Sequence, residues 1–215
     1  MIRVPHVPLM SLVAAATLGT SELLGQALTV RAGAAHIGNE LVGGVLGGGL
    51  LASFPVGSSD TRILIGAEYL AGTSSRIGVP CGGLIAPGTC PPEPLQDWAA
   101  SASGLVGIRV PAWQGRRVTV SLGGDLGISR VRSRTRGQAS GREITAAKAM
   151  WRGDLVGEAE WHPRARRGLG LVGGVAVGGL APVSRDVVAD GYTPFDRTAR
   201  ALRGWLGVTW RSGRL

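Results

Sequence analysis

The sequence of 215 residues predicts an all-β chain: one eight-stranded, antiparallel, up-and-down transmembrane β-barrel. Three observations predict it. Apolar residues recur with period two in segment after segment, with no helical period of useful length between them. The connections between those segments alternate short and long. The parity opposite the apolar one is too sparse in charge, and too rich in Gly, Ala and Ser, to solvate an exterior.

The elements follow in order. Segments 28–37 and 43–54 open the series with weaker alternation. In 61–71, Ile63, Ile65, Ala67, Tyr69 and Ala71 oppose Arg62, Glu68 and two leucines. In 98–110, Trp98, Ala100, Ala102, Val106, Ile108 and Val110 oppose Ser101, Ser103, Gly107 and Arg109. The clearest strand is 117–129, where Val118, Val120, Leu122, Leu126 and Ile128 share one face. In 150–162, Trp151, Leu155, Ala159 and Trp161 alternate with Arg152, Asp154, Glu158, Glu160 and His162. Segments 167–179 and 203–210 complete the set, the last with Leu206, Val208 and Trp210 opposite Trp205, Gly207 and Thr209. Links 55–60, 111–116 and 163–166 are short. Links 72–97, 130–149 and 180–202 read as long loops, and the first link, 38–42, is short. Short turns at one end and long loops at the other describe a membrane barrel with both termini on the short-turn side.

Composition excludes other classes. Glycine accounts for 36 residues, but without a Gly-X-Y period, so collagen is excluded. No apolar run reaches the ~18 residues of a membrane-spanning helix. Lys and Arg number 23 against 14 acids, and Lys148 is the lone lysine. This excess invites a nucleic-acid reading. It is set aside, because no basic groove interleaved with aromatics appears.

The first 27 residues read as an export signal. Arg3 precedes the apolar stretch 7–16, and Gly25-Gln26-Ala27 offers small residues for cleavage. The expected domains are therefore a signal peptide, 1–27, and a barrel, 28–215. Cys81 and Cys90 lie nine apart in a Pro/Gly-rich stretch, and in an oxidising compartment they read as a disulfide.

With the apolar parity facing lipid, the other parity fills the lumen. Arg31, Arg62, Arg109, Arg117 and Arg152 then balance Glu68, Asp125, Asp154, Glu158 and Glu160, since buried charges must be paired. Tyr69, Trp98, Trp151, Trp161 and Trp210 are read as an aromatic girdle. Trp151 and Trp161 are ten residues apart, roughly 33 Å along a strand. With tilt this projects to about 24 Å, near the apolar band of outer-membrane barrels. Residues 130–149 carry six basic groups against Glu143. Arg130 and Arg132, nearest the membrane, are the expected contacts to lipopolysaccharide phosphates. Arg164, Arg166 and Arg167 are expected to snorkel at the opposite end.

The chain resembles the small bacterial outer-membrane barrel proteins of the OmpA/OmpX type across its mature length. Its final strand, Arg203-Gly204-Trp205-Leu206-Gly207-Val208-Thr209-Trp210, resembles the signal read by the barrel assembly machinery, with Arg211–Leu215 following it. The resemblance implies residence in the outer membrane, outer-membrane lipid and lipopolysaccharide as partners, a monomer, and a structural or surface-interaction role. No cofactor, metal or catalytic residue is expected. A lipid A-modifying enzyme is the alternative. His36 and His162 lack the Ser two residues on that the deacylase type uses, and no histidine falls in the loops read as long. A soluble ligand-binding barrel is the third reading, with an apolar inside and a charged outside.

Overall fold

In a computed structural model, the structure describes residues 26–38, 43–57, 60–78, 91–163, 168–183 and 198–212. They form eight strands: β1 (Ala27–Ile37), β2 (Gly43–Pro55), β3 (Arg62–Gly78), β4 (Glu93–Gln114), β5 (Val118–Gly137), β6 (Glu143–Trp161), β7 (Gly168–Pro182) and β8 (Ala199–Arg211). Each pairs antiparallel with its chain neighbour, and β8 closes the ring onto β1. Closure satisfies every strand edge within the ring, which a sheet in hydrocarbon requires.

The registers fix the tilt. A path leaving β1 at Ala27 crosses Ser53, Leu64, Gly107, Asp125, Asp154, Gly178 and Ala201, and returns to β1 at Ile37, ten residues on. That offset is about 33 Å over eight strand spacings of about 4.8 Å, a tilt of roughly 40°. Each residue therefore climbs about 2.5 Å along the barrel axis.

The two faces separate cleanly. Outward sit Ile63, Ile65, Val106, Ile108, Leu122, Leu126, Leu155, Val175, Val177 and Leu206, all exposed. Inward sit Arg31, Glu68, Arg109, Asp125, Arg152 and Asp154, all buried. A barrel that wets its aliphatic side and hides its charges is inverted relative to a water-soluble one. This arrangement is the opposite of the ligand-carrying soluble barrel.

Strands β3 to β6 run further than the alternation of apolar residues marks them. Residues 130–149 are not a long loop. β5 continues to Gly137, β6 starts at Glu143, and only the turn 138–142 lies between. Gly141, at φ +66°, gives that turn the left-handed residue it needs. Period two persists through Arg130, Arg132, Arg134 and Arg136, which are exposed, while Val131, Ser133 and Thr135 are buried. Charge replaces apolar groups on the outer parity without ending the strand. Glu93, at the start of β4, accepts from the Ser140 hydroxyl and from the Ala139 and Ser140 amides, at 2.6 and 2.8 Å for the latter two. The Ser140 hydrogen bonds hold its carboxyl below the ordinary glutamate range.

Candidate functional site

The lumen is layered. Near mid-barrel, Glu68 accepts from Arg31 at 2.9 Å and from Arg152 at 2.6 Å. Asp154 accepts from Arg152 at 2.6 Å and also from Arg203. One chain of five charges thus links β1, β3, β6 and β8. Trp205 fills the space beside it, with the Arg31 guanidinium 4.7 Å from its ring. Gly174 makes room for that ring, since a Cβ there would lie 2.5 Å from Trp205 Cζ2.

Below this level Arg109 forks onto both oxygens of Asp125, at 2.7 and 3.1 Å. Glu158 lies 4.0 Å from Arg109, and Glu160 lies 4.0 Å from Arg62. Arg211 also reaches Glu160, and His162 stands 3.7 Å from it. Above the mid-barrel chain the lumen turns apolar. Ala35, Ile37, Val45, Leu70, Ala99, Val131, Met150, Leu180, Ala199 and Ala201 form one buried cluster to which every strand contributes. Higher still, Asp97 accepts from Arg76 at 2.7 Å and from Thr135 at 2.5 Å.

Nine of the ten expected lumen charges therefore face inward. Arg117 does not: it is exposed in the turn before β5, because the strand begins at Val118. Arg203 and Arg211 belong to the network, and sequence reasoning misses both. They lie on the inward parity of β8, but they fall at the first position and just beyond the last of the segment that reads as a strand. The apolar upper layer is missed too, because Val131, Leu180, Ala199 and Ala201 fall in segments that read as loops, and Ala35, Ile37 and Val45 lie in the two weakly alternating segments.

Outside, Tyr69, Trp151, Trp161 and Trp210 all face outward. Tyr69 and Trp151 stand near one level, and Trp161 and Trp210 stand roughly 24 Å below. Trp98 shares their face but not their level. Its ladder partner is Arg134, six residues above Ile128, which pairs with Trp151. After the steps between strands, Trp98 stands roughly 9 Å above Trp151. Parity reveals a face, but height needs the register.

On β5 the outward residues are Val118, Val120, Leu122, Gly124, Leu126, Ile128, Arg130, Arg132, Arg134 and Arg136. The apolar run from Val118 to Ile128 projects to about 25 Å, the height of an outer-membrane apolar band. Arg130 and Arg132 are the first two positions above it. Arg134 pairs with Glu143 of β6. Cys81, Cys90, Arg164, Arg166 and Arg167 lie outside the described residues.

Solved structures share this geometry. A major outer membrane protein from Thermus thermophilus matches with a TM-score of 0.56 at 16% identity, over 87% of this chain and 99% of that one. The chain has the fold of the small outer-membrane barrels. A second such barrel is Ail, the attachment invasion locus protein of Yersinia pestis, in complex with the heparin analogue sucrose octasulfate. It matches with a TM-score of 0.52 at 9% identity, over 88% of this chain and 99% of that one. No protein-family model and no curated protein sequence matches the chain. Within this barrel fold the chain places two charged regions, an ion-paired lumen and a basic outer stripe on β5. Among the described residues no group of three or more His, Cys, Asp or Glu could hold a metal ion.

Proposed function

We propose that the chain is an integral bacterial outer-membrane barrel with a structural or surface-interaction role. It is held at the outer leaflet by Arg130 and Arg132 on lipopolysaccharide phosphates. The observation that carries this reading is the switch on β5, from apolar to arginine, between Ile128 and Arg130. Guanidinium forks match phosphate geometry and stay charged at the edge of hydrocarbon. Ail, a barrel of like fold, is in complex with a heparin analogue, so a barrel of this size offers surface enough for a polyanion. The apolar upper layer and the ion pairs beneath it fit a plugged lumen rather than a pore. Among the described residues neither ring nitrogen of His162 has a hydrogen-bond partner, so it activates no hydroxyl, which favours a binding or structural role over lipid A modification.

The accompanying features belong to the same reading. Residues 1–27 direct export, and Cys81 and Cys90 form a disulfide within the 79–92 connection. The final strand, from Arg203, engages the barrel assembly machinery, and the barrel is a monomer. Residues past Trp210 fit that strand, since Arg211 turns inward and the Ser212 amide donates to Gln26 at 2.9 Å.

The test is the Arg130→Gln/Arg132→Gln double variant, refolded into bilayers containing lipid A as the sole phosphate-bearing lipid. Its retention of co-purifying lipid A is expected to fall about tenfold or more, each charge-assisted contact contributing about 1 kcal/mol. Retention equal to the parent would refute the clamp. Cell fractionation and a heat-dependent gel shift test residence in the outer membrane.

A further inference from the structure

We propose that Trp98 and Arg136, with Arg132 at the lower edge shared with the lipid A phosphates, form a saccharide-binding surface for the phosphorylated core sugars that lipopolysaccharide carries directly above lipid A. The inference rests on the outer-leaflet reading above and names what the upper part of the stripe touches.

The starting observation is the height of Trp98. It stands roughly 9 Å above Trp151, past the top of the apolar band. The residue is 37% exposed, partly covered by its neighbours, and at that level it has no hydrocarbon to enter. An indole face in water, flanked by cations, suits the C–H face of a sugar ring bearing an acidic group.

The flanking groups are set by the ladder. Arg134 is the direct partner of Trp98, so Arg132 and Arg136 are its diagonal neighbours, within reach of long side chains. Gln96 pairs with Arg136 and adds an amide on the same face. Arg134 is the least available of the three, because Glu143 neutralises it. Arg132 and Arg136 make no ion pair within 4.0 Å among the described residues; Glu143, although it faces Arg136 across the ladder, turns its carboxylate to Arg134. Arg136 stands roughly 20 Å above Ile128, a level that sugar occupies and lipid A phosphates do not. The surface is therefore an aromatic platform between two guanidinium groups without an ion pair, with a third held by an acid.

The experiment is calorimetric titration of the full-length refolded protein with lipid-free phosphorylated core oligosaccharide. The same sugar after phosphatase treatment and a poly-glutamate peptide serve as comparisons. The parent binds the phosphorylated sugar. Trp98→Ala and Arg136→Gln each weaken it by about fivefold or more. Glu143→Gln frees Arg134 and tightens binding about two- to threefold, a direction that misfolding does not produce.

Several results would overturn the proposal. They are no binding by the parent, affinity unchanged in both Trp98→Ala and Arg136→Gln, or equal affinity for the dephosphorylated sugar. Poly-glutamate binding as tightly as the sugar would also overturn it, in favour of an acidic protein partner. The probe carries no lipid A, so this test and that of Arg130 and Arg132 can each fail alone.

Discussion

Replacing Asp154 with alanine is expected to destabilise the barrel by about 3–5 kcal/mol, the cost of leaving a buried charge without its partner. Asp154 is fully buried and takes Arg152 Nε at 2.6 Å on one oxygen and Arg203 on the other. Arg152 retains Glu68, but Arg203 loses the carboxylate it pairs with. Only a small cavity, lined by Arg31, Glu68, Arg203 and Trp205, adjoins it, with the apolar layer above. The double variant Asp154→Ala/Arg203→Ala removes the stranded charge and is expected to be more stable than Asp154→Ala alone. Urea titration of the refolded protein, read by the mobility of unheated samples, measures both. A loss below about 1 kcal/mol in the single variant would show a wet lumen, in which each ion is solvated separately.

Replacing Leu155 with arginine is expected to cost about 2–4 kcal/mol, the penalty for a cation on the lipid face near the bilayer midplane. Leu155 is 76% exposed and lies between Trp151 and Trp161 on the outer face of β6. On a water-soluble protein so exposed a change stays within about 0.5 kcal/mol. Depth gives the control. Thr73 faces outward on β3 beside Trp98, above the apolar band. Thr73→Arg is therefore expected to stay within about 0.5 kcal/mol. The same urea titration, in bilayers rather than micelles, reads the difference. Equal effects at the two sites would show that no lipid boundary separates them.

How much is legible in the sequence depends on what each feature needs. Period two assigns the outward face on β3 to β8, because each turn of the pleat reverses the side chain and lipid tolerates no charge there; on β1 and β2 the alternation is weaker. Strand ends are less legible. The alternation of apolar residues stops where Arg130 begins, although Arg130, Arg132, Arg134 and Arg136 keep the same parity. The membrane ends at that point, and the strand does not. The lumen network is readable where charges stand mid-strand, as at Glu68 and Asp154. It is not readable at the strand limits, where Arg203 and Arg211 join and Arg117 drops out. The level of Trp98 and the apolar upper layer depend on the ten-residue offset around the ring. That offset is a property of closure, and no single segment carries it.

Hydrocarbon ends along β5 between Ile128 and Arg132 if lipid wets the aliphatic face. Nitroxide labels placed in turn at Leu122, Leu126, Ile128, Arg132 and Arg136, in a Cys81→Ser/Cys90→Ser background, report this by relaxation with oxygen and with a water-soluble nickel chelate. Labels at 122, 126 and 128 are predicted to meet oxygen and exclude nickel, while labels at 132 and 136 meet nickel. Nickel access at 126 equal to that at 132 would contradict a lipid-facing exterior, because water would then wet the aliphatic face of the barrel.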